Sequence, residues 1–192
     1  QPDVVHAWLF AAGAYVRLVT PRSGTSPARP RLVVSERCVD SWKSNWQLAL
    51  DRRLIPRTDR LLANSDAVAT FYRDLGYPAD RISVIPNAVE VPPPPDLPRA
   101  AWLETLGFPA DAKVIACVGR LAAQKRVKDV IWSCQLLRQA DPRTRLVIIG
   151  DGPQLPELRM RYPDAVYTGY KRGEDLAEHM ASADVFVFPS LT

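Results

Sequence analysis

Residues 113–152 read KVIACVGRLAAQKRVKDVIWSCQLLRQADPRTRLVIIGDG. Lys113 to Val118 is a short, unbroken apolar run, the signature of a buried strand. Gln124 to Gln139 is expected to be a helix, with Val127, Val130, Ile131, Cys134 and Leu137 at the three-to-four spacing of one face. Arg145 to Ile149 is apolar and β-branched, a second strand. Glycine follows each strand, at Gly119 and Gly150. Strand, helix and strand in this order, with continuous rather than alternating apolar strands, predict a parallel sheet covered by helices on both faces.

The same alternation extends in both directions. Towards the C-terminus, Leu155 to Tyr162 and Glu174 to Ala181 read as helices, and Ala165 to Tyr167 and Asp184 to Phe188 as strands. Towards the N-terminus, a short helix is expected over Leu97 to Leu106, closed by Gly107 and Pro109. Before it, Pro92-Pro93-Pro94-Pro95 cannot donate backbone hydrogen bonds and favours a stiff, extended path, which reads as a hinge. Upstream, strands are expected at Asp3 to Trp8, Arg31 to Ser35, Asp59 to Ala63 and Arg81 to Ile85. Helices are expected at Leu9 to Thr20, Trp42 to Ile55 and Asp66 to Leu75. Trp42, Trp46, Leu50 and Leu54 form an i, i+4 ladder in the second of these. Asn64-Ser65 offers the third its N-cap, and Gly76 ends it. Pro21 to Pro30 reads as a loop. The expected division is residues 1–90, a hinge at 91–98, and residues 99–192, each flanking part a partial Rossmann-like α/β domain.

Composition narrows the function. The 192 residues are 47% hydrophobic and 24% charged, an ordinary globular balance. The 25 basic residues exceed the 21 acidic ones by four and are scattered among them. No dense basic stripe marks a nucleic-acid surface, so no nucleic acid is expected as a partner. Apolar runs are too short to cross a bilayer. Cys38, Cys117 and Cys134 fit neither a metal site nor a disulfide framework, and a cytoplasmic compartment is expected. Arg52-Arg53 reads as a solvated helix face. His6 and His179 are isolated, with no second metal ligand at a useful spacing.

Ligands of open α/β sheets bind beyond the carboxyl ends of the strands, so the loops there carry the candidates. After Val118 come Gly119, Arg120 and Lys125. A glycine admits a close ligand, a helix beginning near Gln124 presents unpaired N–H groups, and the two cations suit a diphosphate. Cations at a helix start oppose its dipole unless an anion is present. Gly150-Asp151-Gly152-Pro153 reads as a tight turn, with Pro153 suited to the first helical position; it either lines a nucleotide or simply joins strand to helix. Thr168 to Gly173 is a third loop, in which Tyr170 is placed to flank a nucleobase or is plain loop. Glu174, Asp175 and Glu178 read as helix-start charges that complement the dipole.

Several segments, in order and spacing, resemble the family 4 glycosyltransferases, retaining enzymes of the GT-B fold. They are Asp3 to His6 (DVVH), Asn64-Ser65 after a strand, Val84 to Val89 (VIPNAV), Gly119-Arg120-Leu121 with Lys125, Gly150 to Pro153 (GDGP), and Ala183 to Ser190 (ADVFVFPS). The resemblance implies transfer of a sugar from a nucleotide-diphosphate donor on the second domain to a glycan or lipid-linked acceptor mostly on the first, with retention of anomeric configuration. Arg120 and Lys125 match the donor-pyrophosphate pair. They are assigned the catalytic role of stabilising the leaving diphosphate, so that neither a metal nor a cofactor is expected. Gly119, Gly150, Gly152, Tyr170, Lys171 and Ser190 are the expected substrate-binding residues. Peripheral contact with the inner membrane face is a further expectation.

The sequence departs from the family at several points. Many members carry a histidine after the strand that here reads Leu32-Val33-Val34-Ser35, where this chain has Glu36-Arg37. The usual glycine after the lysine is Arg126. The family's opening strands and its paired donor glutamates fall outside Gln1 to Thr192, so a fragment with weak or no turnover is expected. Two other readings stand beside this one: a different GT-B enzyme such as a nucleotide-sugar epimerase, or a non-catalytic nucleotide-sugar-binding module.

Overall fold

A computed structural model describes residues 2–21 and 29–190. Most of the expected Pro21 to Pro30 loop therefore lies outside the described residues. The chain divides into two compact units, residues 1–89 and 90–192. Residues 85–98, which include the proline run, carry neither helix nor strand.

In the first unit the elements run β1 (Val4–Trp8), α1 (Leu9–Val19), β2 (Arg31–Glu36), α2 (Asn45–Leu54), β3 (Arg60–Ala63), α3 (Asp66–Leu75) and β4 (Ile82–Val84). The strands pair in parallel in the order β1-β2-β3-β4. Leu32, Val34, Leu61 and Ala63 point to one face and pack on Val68, Ala69 and Tyr72 of α3. On the other face no cluster of buried apolar side chains forms among the described residues. There Val4, His6 and Trp8 of β1 are exposed. Val33 and Leu62, which alternate to that face, are partly buried.

The Trp42 ladder also turns out differently. Ser44 caps α2 in a reciprocal box with Gln47, so the helix begins at Asn45. Trp42 and Trp46 face solvent, and the buried side of α2 carries Asp51 and Leu54. A buried ionic network explains this orientation. The Arg17 guanidinium donates to the Gly13 carbonyl at 2.9 Å, to the Tyr77 hydroxyl at 2.6 Å and to Asp51 Oδ1 at 2.6 Å. Lys43 Nζ donates to Asp51 Oδ2 at 2.8 Å and lies 2.7 Å from Asp40 Oδ2. The Tyr72 hydroxyl donates to Asp40 as well. Glu36 closes the edge of the network with one carboxyl oxygen unpartnered. Burial pushes its carboxyl up to about 7, against the partial relief given by Lys43.

The second unit runs α4 (Arg99–Thr105), β5 (Lys113–Val118), α5 (Val127–Ala140), β6 (Thr144–Ile149), α6 (Leu155–Arg161), β7 (Val166–Gly169), α7 (Gly173–Ser182) and β8 (Val185–Phe186). The strand order is β7-β6-β5-β8, all parallel. Here both faces are covered. Ile115, Cys117, Leu146 and Ile148 pack on α5 and Leu158 of α6. Val114, Ala116, Val147 and Ile149 pack on Trp102 and Leu103 of α4, with Leu176 of α7 beside them. Cys117 and Cys134 are buried, and burial pushes the Cys117 thiol up to about 11. The second sheet is therefore the rigid platform from which the loops after β5, β6 and β7 project.

Candidate active site

Close backbone packing builds the loops beyond β5 and β6. The Gly119 N–H donates to the Ile149 carbonyl at 2.9 Å, and the Gly150 N–H donates to that of Gly169 at 2.8 Å. Leu121 N–H donates to Asp151 at 2.9 Å, and Gln154 N–H returns to Leu121 at 3.0 Å. A Cβ added to Gly150 would fall on the Gly119 carbonyl oxygen, and one on Gly152 would lie 2.7 Å from the Leu121 nitrogen. Both glycines have positive φ, +140° and +159°. They are needed where one backbone crosses another. At Gly119 an added Cβ would meet only the Phe188 ring, at an ordinary 3.6 Å.

These loops and the one after β7 enclose a cavity of about 500 Å³. Gly119, Arg120, Gly150, Tyr170 and Lys171 border it, with Val118, Ile149 and Leu176 as apolar wall. The apolar wall escaped the sequence reading; for Val118 and Ile149 the signal was their place as last residue of β5 and β6. Lys171 Nζ lies 3.7 Å from Asp175 in the first turn of α7. Glu174 and Asp175 are exposed helix-start charges, as their position implied. His179 is half-buried against the Trp102 ring at 6.0 Å, and burial lowers its pKa.

Lys125, Gly152 and Ser190 do not border this cavity. Lys125 Nζ donates to Ser190 Oγ at 3.1 Å and sits 4.9 Å over the Phe188 ring. The expected helix start near Gln124 is also displaced. Ala123–Lys125 is a single 3-10 turn, Arg126 adopts φ +50°, and α5 begins at Val127. Gly119 and Leu121 have spent their N–H groups on neighbouring carbonyls, so this loop offers an anion side-chain charge more than a helix end. Pro153 lies before α6, whose first-turn proline is Pro156.

The profile described as Glycosyltransferase Family 4 matches residues 1–91, and that of Glycosyl transferases group 1 matches residues 112–192. The chain belongs to glycosyltransferase family 4. Its similarity to a GDP-mannose-dependent alpha-mannosyltransferase of Mycobacterium tuberculosis is 31% identity over 196 residues, 97% of this chain and 49% of that protein. A GDP-mannose-dependent alpha-(1-6)-phosphatidylinositol monomannoside mannosyltransferase of Mycolicibacterium smegmatis is 30% identical over 209 residues, 100% of this chain and 52% of that protein. Among solved structures, HepE of Anabaena in complex with UDP has the same fold, with a TM-score of 0.79 at 21% identity over 99% of this chain and 54% of that one. The chain spans about half the length of these family 4 relatives or less; a mannosyltransferase of Corynebacterium glutamicum, 42% identical over 92 residues, is covered over 21% of its length. Among the described residues no helix is long and apolar enough to cross a membrane.

Proposed function

We propose that this chain carries the donor half-site and part of the acceptor side of a retaining glycosyltransferase, which moves a sugar from a nucleoside-diphosphate donor to a hydroxyl of a glycan or lipid-linked acceptor. The observation that carries the reading is the second unit's cavity, where Arg120, Tyr170 and Lys171 border one space beyond three parallel strands. Its volume suits a nucleotide, and its mix of apolar wall and few charges is that of a ligand site. Arg120 on the cavity's border, together with Lys125, which lies outside its lining and is held at Ser190, takes the diphosphate. They stabilise the charge that grows on it as the sugar leaves, in place of a metal. Ser190 positions Lys125 through their hydrogen bond. The relatives' dependence on GDP-mannose makes it the first donor to test.

Peripheral attachment to the inner membrane face, in the cytoplasm, belongs to the same reading. The segment from Trp42 through α2 supports it: exposed Trp42 and Trp46 lie ahead of exposed Arg52 and Arg53, a pairing of interfacial aromatics with cations. The donor assignment is tested by titrating GDP and UDP into wild type, Arg120→Ala and Lys125→Ala. Each variant is expected to lose about 1.5–3 kcal/mol of binding, the worth of a charge-assisted hydrogen bond. Unchanged affinity in both variants would reject it.

A further inference from the structure

The chain leaves β8 along a path fixed against β5. Ile115 and Ala116 pair with Val185 and Phe186, and the Val187 N–H donates to the Ala116 carbonyl at 2.9 Å. This register carries Phe188 to the end of β5, where the glycine loop begins. Its ring reaches that loop: a Cβ added to Gly119 would lie 3.6 Å from the ring, an ordinary contact distance. Phe186, two residues earlier and so on the same side of the extended chain, stacks on it with centroids 6.3 Å apart and planes 14° from parallel. The Gly119 backbone and the Phe186 ring together fix where the Phe188 ring stands.

The ring's other neighbour is a cation. Lys125 Nζ stands 4.9 Å from its centroid, within the roughly 6 Å over which a ring quadrupole attracts an ammonium. Ser190 Oγ accepts a hydrogen bond from the same nitrogen at 3.1 Å. Neither group carries a charge, so both orient the ammonium without cancelling it. Orientation matters here for two reasons. Lysine is among the side chains with most rotamer freedom to lose when a ligand orders it, and one held beforehand loses less. Lys125 also lies in a single 3-10 turn ahead of α5, so no helix face directs its side chain. Gly119 and Arg120 border the donor cavity and Lys125 does not. The Phe188 ring touches both sides of that divide.

We propose that Phe188 is a positioning residue for the diphosphate: its ring, braced on Gly119 and Phe186, holds the Lys125 ammonium beside the loop of Arg120, so that one anion meets both cations. The proposal rests on the donor reading above, which names Lys125 as a diphosphate cation. Ser190 gives the ammonium a direction, and the ring gives it a surface to stand on. A leucine would fill the space against Gly119 but has no quadrupole, whereas a tyrosine keeps both the ring and its negative face. Those two substitutions separate positioning from packing.

The test titrates GDP into the 192-residue chain and follows the Lys125 side chain by 13C-lysine labelling. In the unliganded wild type the Lys125 Hε signals are expected upfield of those of exposed lysines, moved by the ring beneath them. Phe188→Tyr is expected to keep that shift and Phe188→Leu to lose it. Phe188→Leu is expected to weaken GDP binding about two- to fivefold, the equivalent of an exposed cation–π contact, and Phe188→Tyr to leave it at the wild-type value. In a Lys125→Ala background Phe188→Leu is expected to cost nothing further, because the ring acts through that ammonium. An equal cost in both backgrounds would mean that the ring packs the loop without aiming Lys125, and would overturn the proposal. So would unchanged GDP affinity in Phe188→Leu, or an unshifted Lys125 signal in the wild type. The donor reading fails by a different observation, Lys125→Ala alone binding GDP as tightly as wild type while the ring shift persists in the parent chain; that result would overturn both.

Discussion

Among the described residues the first unit gathers its apolar core on one face of its sheet and the second on both faces, and the buried polar groups follow the same division. Arg17, Glu36, Asp40, Lys43 and Asp51 are all buried in the first unit, whereas Thr144 and Ser182 are the buried polar residues described in the second, and neither is charged. The described core of the second unit is apolar, and its ion pairs, such as Arg99–Asp184 and Lys128–Glu157, are partly exposed. The first unit adds to its apolar core a buried ionic network centred on Asp51. The sharpest way to break the comparison is Asp51→Ala, which leaves Arg17 and Lys43 buried without their shared partner. It is expected to cost about 3–5 kcal/mol, the usual penalty for removing one side of a buried pair. The effect should appear in the urea melt of the first unit only. A loss below about 1 kcal/mol would mean that the network is solvated, contrary to the burial described.

The next largest effect belongs to the second unit and comes from backbone crowding. Gly150→Ala places a methyl on the Gly119 carbonyl oxygen at a φ of +140°. Strain and overpacking each cost about 1–3 kcal/mol, and together about 3 kcal/mol or more is expected. GDP affinity should fall with stability, because the two loops that border the cavity must separate. Gly107→Ala is the control: its φ is also positive, at +68°, but an added Cβ meets nothing within 4 Å. It should cost only the strain.

Glu36 gives the two units different pH profiles. Its carboxyl titrates at about 7 in the folded chain and near the ordinary 4.5 when unfolded. Between these values the folded state binds more protons, so the first unit loses stability as pH rises from about 4.5 to 7 and holds that lower level above it. Glu36→Gln removes the titration. It is expected to raise the first unit's stability by about 2–3 kcal/mol at pH 8 and to change it little at pH 4.5. An equal effect at both pH values would mean that Glu36 does not titrate in this window. The second unit's melt should be indifferent to the substitution.

The legible parts of the sequence were those set by local chemistry. Ser65 caps α3 by accepting from the Val68 N–H at 3.3 Å, and Gly76 closes it at φ +112°. The apolar runs of β5 and β6 became the central pair of the second sheet. What failed depended on distant partners. The Trp42 ladder lost to Asp51, whose burial is dictated by Arg17, 34 residues away. The glycines and Arg120 of the candidate site could be read from strand ends. The link from Lys125 to Ser190, 65 residues apart, could not.

The smallest predicted effect sharpens the comparison at one point, the start of a crossover helix. α3 of the first unit begins on a serine cap in extended backbone, and α5 of the second begins on Arg126 at φ +50°, with no side-chain cap. Arg126 follows directly on Lys125, so the strained residue sits beside the proposed diphosphate cation. A left-handed backbone costs a non-glycine residue about 1–2 kcal/mol. The Arg126–Asp129 pair returns little of this, since both side chains are about half exposed. Glycine relieves the strain at some entropic cost to the unfolded chain, so Arg126→Gly is expected to stabilise the second unit by about 0.5–1 kcal/mol. If GDP affinity is unchanged in that variant, Arg126 is neither a third diphosphate cation nor needed to aim Lys125. A loss of GDP affinity alongside the gain in stability would mean that the strain serves binding, holding Lys125 where an ordinary helix start would carry it away.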